Sequence, residues 1–217
     1  MVKVKICGIT CERDLEAATQ AGADILGFIV DTPASPRNIS LNMAETLIDM
    51  VPSRILSVAV TVFKNIERIL EINRSLKPNI IQIHGGIDEK LLKEISSAGK
   101  VVPAVNARSS DAIGEALKYS NLTQAILVDT CSDSGLGGTG RIHDWSLSRK
   151  IRDRIYPAKM FLAGGLTPEN VRSAIEAVEP YGVDVSSGVE AKPGVKDPTK
   201  MIEFVRRVRE AEKNEKR

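Results

Sequence analysis

Two short apolar runs near the C-terminus, Lys159 to Ala163 and Gly182 to Val185, each break off into small residues: Gly164-Gly165 in one case, Ser186-Ser187-Gly188 in the other. A strand that ends in glycine or serine lets a ligand approach bare backbone. Its N–H groups and hydroxyls can then hold phosphate oxygens without a full counter-charge. The first of these ends is followed by Thr167-Pro168-Glu169-Asn170, which predicts a helix start with a capping hydroxyl and proline at the first helical position. Acid–base chemistry has its own candidates. Side chains alternate along a strand, so Lys3, Lys5 and Cys7 share one face while Val2, Val4 and Ile6 form the apolar face. A thiol at Cys7 can accept a proton if neighbouring positive charge, here Lys5, lowers its pKa; the alternative is a small buried hydrophobe. Lys5 itself is better read as paired with Asp184 than as a catalytic lysine. Asp129 ends another apolar run, with Ala125 and Leu127 on its face. Partly desolvated, its carboxyl would have a raised pKa and could donate a proton near neutrality; a helix cap or loop hydrogen bond is the other reading. Asp31 is a lesser rival. In Ser35-Pro36-Arg37 the arginine fork could grip a carboxylate bidentately, or simply be solvated.

Eight strand–helix alternations must position these groups, with no linker between halves. The strands are read as Val2 to Cys7, Ile25 to Val30, Ile55 to Val62, Ile80 to His84, Val101 to Val105, Ala125 to Asp129, Lys159 to Ala163 and Gly182 to Ser186. The helices between them are read near Glu12 to Ala21, Ala44 to Met50, Ile66 to Leu76, Asp88 to Ala98, Ser110 to Tyr119, Trp145 to Arg154, Pro168 to Val178 and Pro198 to Lys213. Spread over 217 residues, this predicts a single-domain (β/α)₈ barrel spanning residues 1–217, with a charged end that frays. Such a barrel gathers its chemistry at the C-terminal ends of the strands and commonly binds phosphate after the last two. An open doubly wound sheet is the competing fold, but no Gly-x-Gly-x-x-Gly follows the first strand.

Composition narrows the partners. Lysine and arginine total 30 against 28 acidic residues, a net charge of +2, which makes no case for a nucleic-acid or membrane surface and favours a small molecule. No apolar stretch approaches the roughly 20 residues of a membrane span, and the start is too short and alternating for a signal peptide, so the expected location is cytoplasmic. Cys7, Cys11 and Cys131 read as free thiols. With only His84 and His143 and no paired Cys-x-x-Cys, no metal site is expected. His84 is placed at the barrel mouth or on a backbone group. The glycine-dense run 135–140 suits either a lid or a structural turn.

Lys5-Ile6-Cys7-Gly8-Ile9-Thr10, Ser35-Pro36-Arg37, Gln82-Ile83-His84-Gly85, Gly137-Gly138-Thr139-Gly140 with His143-Asp144-Trp145, Ala163-Gly164-Gly165-Leu166 and Asp184-Val185-Ser186-Ser187-Gly188-Val189-Glu190 run from the first strand to the last. Together they resemble the phosphoribosylanthranilate isomerases of tryptophan biosynthesis. The resemblance implies a (β/α)₈ barrel, no cofactor, and a phosphosugar substrate, N-(5-phosphoribosyl)anthranilate, converted to 1-(2-carboxyphenylamino)-1-deoxyribulose 5-phosphate by an Amadori rearrangement. It implies Cys7 as general base, Asp129 as general acid and Arg37 facing the anthranilate carboxylate. Gly164, Gly165, Ser187 and Gly188 would cradle the phosphate. The chain departs from the pattern at Thr61, where glycine is expected, and in Asp31-Thr32-Pro33-Ala34, which lacks an aromatic. Cys131, two residues past Asp129, raises the question of oxidation sensitivity. Two other classes stand beside this one. A lyase or synthase acting on an indole precursor would need a lysine at a strand tip, the nearest being Lys64. A non-catalytic phosphosugar sensor would need neither Cys7 nor Asp129. Monomer and homodimer are both open, since no helix face forms a clear seam.

Overall fold

Parallel pairing closes on itself. In a computed structural model, which describes residues 1–130 and 143–214, eight strands form a ring: β1 (Lys3–Cys7), β2 (Ile25–Val30), β3 (Leu56–Val62), β4 (Ile80–His84), β5 (Val101–Asn106), β6 (Ala125–Asp129), β7 (Lys159–Leu162) and β8 (Gly182–Val185). β1 pairs in parallel with β2 through Cys7↔Gly27 and with β8 through Lys5↔Asp184, so the sheet has no free edge and the doubly wound alternative falls. Around the ring stand α1 (Glu12–Ala21), α2 (Leu41–Asp49), α3 (Ile66–Leu76), α4 (Glu89–Ala98), α5 (Ala112–Ser120), α6 (Trp145–Ile155), α7 (Val171–Val178) and α8 (Pro198–Asn214). The glycine run 135–140 and Cys131 lie outside the described residues. Among the described residues no helix is long and apolar enough to cross a membrane.

Strand alternation sorts the core into two bodies. Outward residues such as Val4, Ile6, Leu26, Phe28, Ile126 and Val183 pack against the helices in the larger one. Inward residues Cys7, Ile25, Val58, Val60, Val102, Leu127 and Phe161 fill the ring. Because successive side chains point to opposite faces, the inward set is fixed once register is fixed.

Three expected helix starts shift by two residues or more. α2 begins at Leu41, ahead of Ala44, because the Ser40 side chain accepts the Met43 N–H and supplies the cap. α5 begins at Ala112 rather than Ser110. Residues 167–170 form a turn, not the first turn of α7: Asn170 Oδ1 accepts the Thr167 N–H at 2.9 Å, Asn170 Nδ2 donates to Gly165 O at 2.8 Å, and the helix starts at Val171. Two small pieces are additional. Asn38–Ile39 pairs with the C-terminal end of β2, Ile29 and Val30, and Glu190–Lys192 pairs antiparallel with Val195–Lys196 as a hairpin just past β8.

Candidate active site

At the C-terminal ends of the strands lies a cavity of about 690 Å³, counting its open mouth. Its wall includes Cys7, Arg37, Asp129, Gly164, Gly165 and Ser187. Six of the seven residues expected at the site therefore share one wall. The seventh, Gly188, stands behind it, pressed on the next loop: a Cβ there would lie 1.9 Å from Leu166 O. Gly164 and Gly165 have φ of +90° and +66°, a region that favours glycine, and a Cβ on Gly164 would lie 2.3 Å from Thr130 Oγ1. Ser187 opens a single 3₁₀ turn, Ser187–Val189.

Cys7 is 5% exposed, at the inward tip of β1. Its neighbour across the ladder is Gly27, where a Cβ would stand 2.8 Å from Cys7 Sγ, so only glycine leaves the thiol its place. One residue below on the same face, Lys5 Nζ donates to Asp184 Oδ2 at 2.7 Å, the pairing expected from strand closure. Burial alone would lower the Lys5 pKa, but Asp184 and the Cys7 sulfur overcome it and hold it above the ordinary lysine value. The condition set for activation of the thiol, a pKa lowered by Lys5, is not met in the resting site. Burial pushes the Cys7 pKa up, and the nearby cations Lys5 and Lys196 reduce that rise without reversing it. Positive charge beside a thiol favours the thiolate, but here the loss of water around the sulfur outweighs it.

Asp129 is 5% exposed at the tip of β6 and titrates at about 6, pushed up by burial and by the negative charge of Asp184. The Thr130 N–H and Lys5 pull the other way. It can thus carry a proton near neutrality; Asp184, the other carboxyl of this wall, is also pushed up by burial, but it is engaged by Lys5. Asp31 does not compete: it salt-bridges Lys64 at 3.1 Å and Arg68 at 3.0 Å, largely by hydrogen bonding from Arg68 its pKa falls, and it is not in the wall. Lys64, the lysine a Schiff-base reading would need, is engaged there, half exposed.

Arg37 is buried at the wall, but its fork is already used on one edge. Nε and Nη2 donate to Glu190 Oε1 and Oε2 at 2.7 and 2.8 Å, leaving Nη1 without a partner among the described residues. Gly8 makes room for it, since a Cβ there would meet Arg37 Cδ at 2.7 Å. Lys196, its side chain fully buried, donates to Glu190 Oε1 and to Ser186 O, both at 3.0 Å. Sequence reasoning missed Lys196, Glu190's grip on Arg37, and Gly27. The first had a signal: Lys192-Pro193-Gly194-Val195 has proline and glycine where a type II turn wants them, with Gly194 at φ +80°, and that turn folds Lys196 back against Glu190. Gly27 carried none without the β1–β2 register. His84 lines the mouth, its Nε2 2.9 Å from Gln82 Nε2, and burial beside Lys5 lowers its pKa to about 4. Thr61, the departure from pattern, is part of the wall between Val60 and Val62.

The sequence pattern of N-(5'phosphoribosyl)anthranilate (PRA) isomerase matches residues 4–207. A relative from Methanothrix thermoacetophila named N-(5'-phosphoribosyl)anthranilate isomerase is 44% identical over 211 residues, 96% of this chain and 99% of its own length. The crystal structure of phosphoribosyl anthranilate isomerase from Thermotoga maritima superimposes with a TM-score of 0.87 at 40% identity, covering 97% of this chain and all of that one. A crystal structure of a phosphoribosyl anthranilate isomerase in complex with reduced 1-(o-carboxyphenylamino)-1-deoxyribulose 5-phosphate gives a TM-score of 0.85 at 38% identity, with the same coverage.

Proposed function

From the premise that this chain belongs to the N-(5'-phosphoribosyl)anthranilate isomerase family, we infer that it converts N-(5-phosphoribosyl)anthranilate to 1-(2-carboxyphenylamino)-1-deoxyribulose 5-phosphate by a cofactor-free Amadori rearrangement. One observation supports this reading above others: Cys7 and a protonatable Asp129 face one cavity whose far wall is made of the Gly164-Gly165 and Ser187 backbone. In this reading the backbone there holds the phosphate, which fixes the sugar between acid and base. Asp129 gives its proton to the ribose ring oxygen as the C1–O bond breaks, leaving a protonated C1=N Schiff base. Cys7 takes the C2 proton; the C–H electron pair forms the C1=C2 bond and neutralises the nitrogen, giving an enolamine. Loss of the C2 hydroxyl proton and gain of a proton at C1 then yield the ketone.

The electrostatics suit these roles. A carboxyl that titrates at about 6 is a far better donor near neutrality than an exposed aspartate, and the substrate's own anionic groups raise it further. A thiolate with a raised pKa is scarce but strongly basic, and Lys5 beneath it stabilises the charge when it forms. Arg37 meets the anthranilate carboxylate with the edge that Glu190 leaves open. The test is the decay of phosphoribosylanthranilate fluorescence on adding the protein. Cys7→Ala and Asp129→Asn are expected to abolish turnover while ligand binding survives; near-wild-type turnover in either variant overturns the assignment. The same assay separates a non-catalytic phosphosugar sensor, which would bind without any decay.

A further inference from the structure

His143, the first residue described after position 130, sits just ahead of α6 with both ring nitrogens engaged. Nδ1 is 2.9 Å from Thr130 Oγ1, and Nε2 is 2.6 Å from Ser148 Oγ on α6. Ser148 is fully buried and Thr130 is 2% exposed, so neither hydroxyl trades its contact for water. Burial lowers the His143 pKa, which keeps the ring neutral, with one nitrogen donating and the other accepting. The two hydroxyls can each take the complementary role.

Thr130 is the residue after Asp129, and its surroundings are tight. Gly164 lies so close that a Cβ there would be 2.3 Å from Thr130 Oγ1 and 2.8 Å from Thr130 N. The Thr130 N–H in turn lies against the Asp129 carboxyl. The imidazole therefore ties α6 to the residue whose backbone N–H holds the Asp129 carboxyl. We propose that His143 is a positioning residue for the acid step: by bridging Ser148 and Thr130 it fixes the Asp129–Thr130 peptide, and through it the direction of the Asp129 carboxyl over the cavity. The proposal rests on the reading of Asp129 as general acid.

The phosphate end of the site has its own anchor, since Asn170 Nδ2 donates to Gly165 O at 2.8 Å. Losing the His143 bridge should therefore cost turnover far more than binding. His143→Ala is expected to lower kcat about tenfold to a hundredfold, the scale of a sub-ångström misplacement of a catalytic group, with KM changed less than threefold. Two further variants separate positioning from general support of the fold. His143→Asn retains a polar atom near the Nδ1 position and so the Thr130 contact, while His143→Gln retains one near Nε2 and so the Ser148 contact. Asparagine is expected to recover most of kcat and glutamine little of it, and Thr130→Val should reproduce the alanine phenotype. Asp129→Asn run alongside keeps the two ideas apart. Turnover surviving in Asp129→Asn sinks the acid assignment. Turnover lost there but near wild type in a folded His143→Ala sinks the bridge alone. Equal recovery by asparagine and glutamine also counts against it, because it would show that Thr130 is not the contact that matters.

Discussion

Gly27 offers a measurement of how closely the proposed base must be placed. A Cβ built on it lies 2.8 Å from Cys7 Sγ, 3.2 Å from Cys7 Cα and 3.3 Å from Cys7 Cβ, whereas ordinary contact begins at 3.4 Å. Gly27→Ala must therefore drive the sulfur off by about 0.6 Å, and the two backbone-side contacts stop β1 from absorbing the change by sliding. Since a 1 Å error in a reacting group can cost about 100-fold, a displacement of this size should lower kcat about tenfold. Overpacking in the ring should cost about 1–3 kcal/mol. Fluorescence decay gives kcat and KM, iodoacetamide alkylation of Cys7 reports the thiol's setting, and calorimetry gives Tm. Gly22→Ala serves as the comparison. It sits at φ +92° past α1 with its nearest contact an ordinary 3.6 Å from Val205, so it should lose about 1–2 kcal/mol of stability with kcat unchanged. A folded Gly27→Ala protein with kcat within twofold of wild type refutes the argument that Cys7 Sγ must stand where it does.

The raised pKa of Asp129 has consequences for stability and for rate. The folded protein holds this proton up to about pH 6, whereas the unfolded chain releases it near 3.8, so the native state loses stability as pH climbs between those values and is lower by about 3 kcal/mol above them. Asp129→Asn removes that cost: it should be more stable than wild type at pH 8 and nearly equal at pH 4 by urea midpoint, and an identical difference at both pH values would contradict the assignment. Because turnover needs Asp129 protonated and Cys7 ionised, and burial holds the thiol's pKa above its ordinary value, kcat/KM of the wild type should climb with pH up to about 6 and level off beyond it, where each gain in thiolate is offset by loss of the Asp129 proton; a climb that continues undiminished from pH 6 to 8 would argue against Asp129 as donor. Lys5→Met should cost about 3–5 kcal/mol by leaving Asp184 buried without its partner, and adding Asp184→Leu should restore most of it; no loss in the single variant would mean that the pair is solvated.

Barrel closure was legible because it depends on a pattern that repeats along the chain: eight short apolar runs rich in β-branched residues, each followed by a helical pattern. The inward direction of Cys7 and the Lys5–Asp184 pair followed from that pattern alone, since closure brings β8 beside β1 and parity does the rest. Asp129 and the two glycine–serine ends followed from their places at strand tips. What escaped is of two kinds. Lys196 reaches the site through a tight hairpin, Gly27 matters through a ladder register, and Arg37 is half-committed to Glu190 across 153 residues of sequence. Only the hairpin is written in its own segment; the other two are distances between segments.

The thiol's pKa is the clearest instance of that limit, and it bears on how the base must work. Sequence places a lysine two residues from Cys7 on one face, which by itself argues for an activated thiolate. The same parity that brings Lys5 and Cys7 together also points both into a ring filled by Ile25, Val58, Val60, Leu127 and Phe161, where loss of water opposes the charge more strongly than one shared cation favours it. Lys5 divides its field between Asp184, its direct partner, and Cys7. A base in this position is thus held mostly as thiol and becomes charged only in the fraction of molecules, or at the moment, that proton removal requires. Strengthening the cation's hold on sulfur is the change that distinguishes this view: Asp184→Asn leaves Lys5 facing Cys7 alone, and iodoacetamide alkylation of Cys7 at fixed pH should accelerate. Unchanged or slower alkylation in that variant would mean that Asp184 does not compete for the lysine.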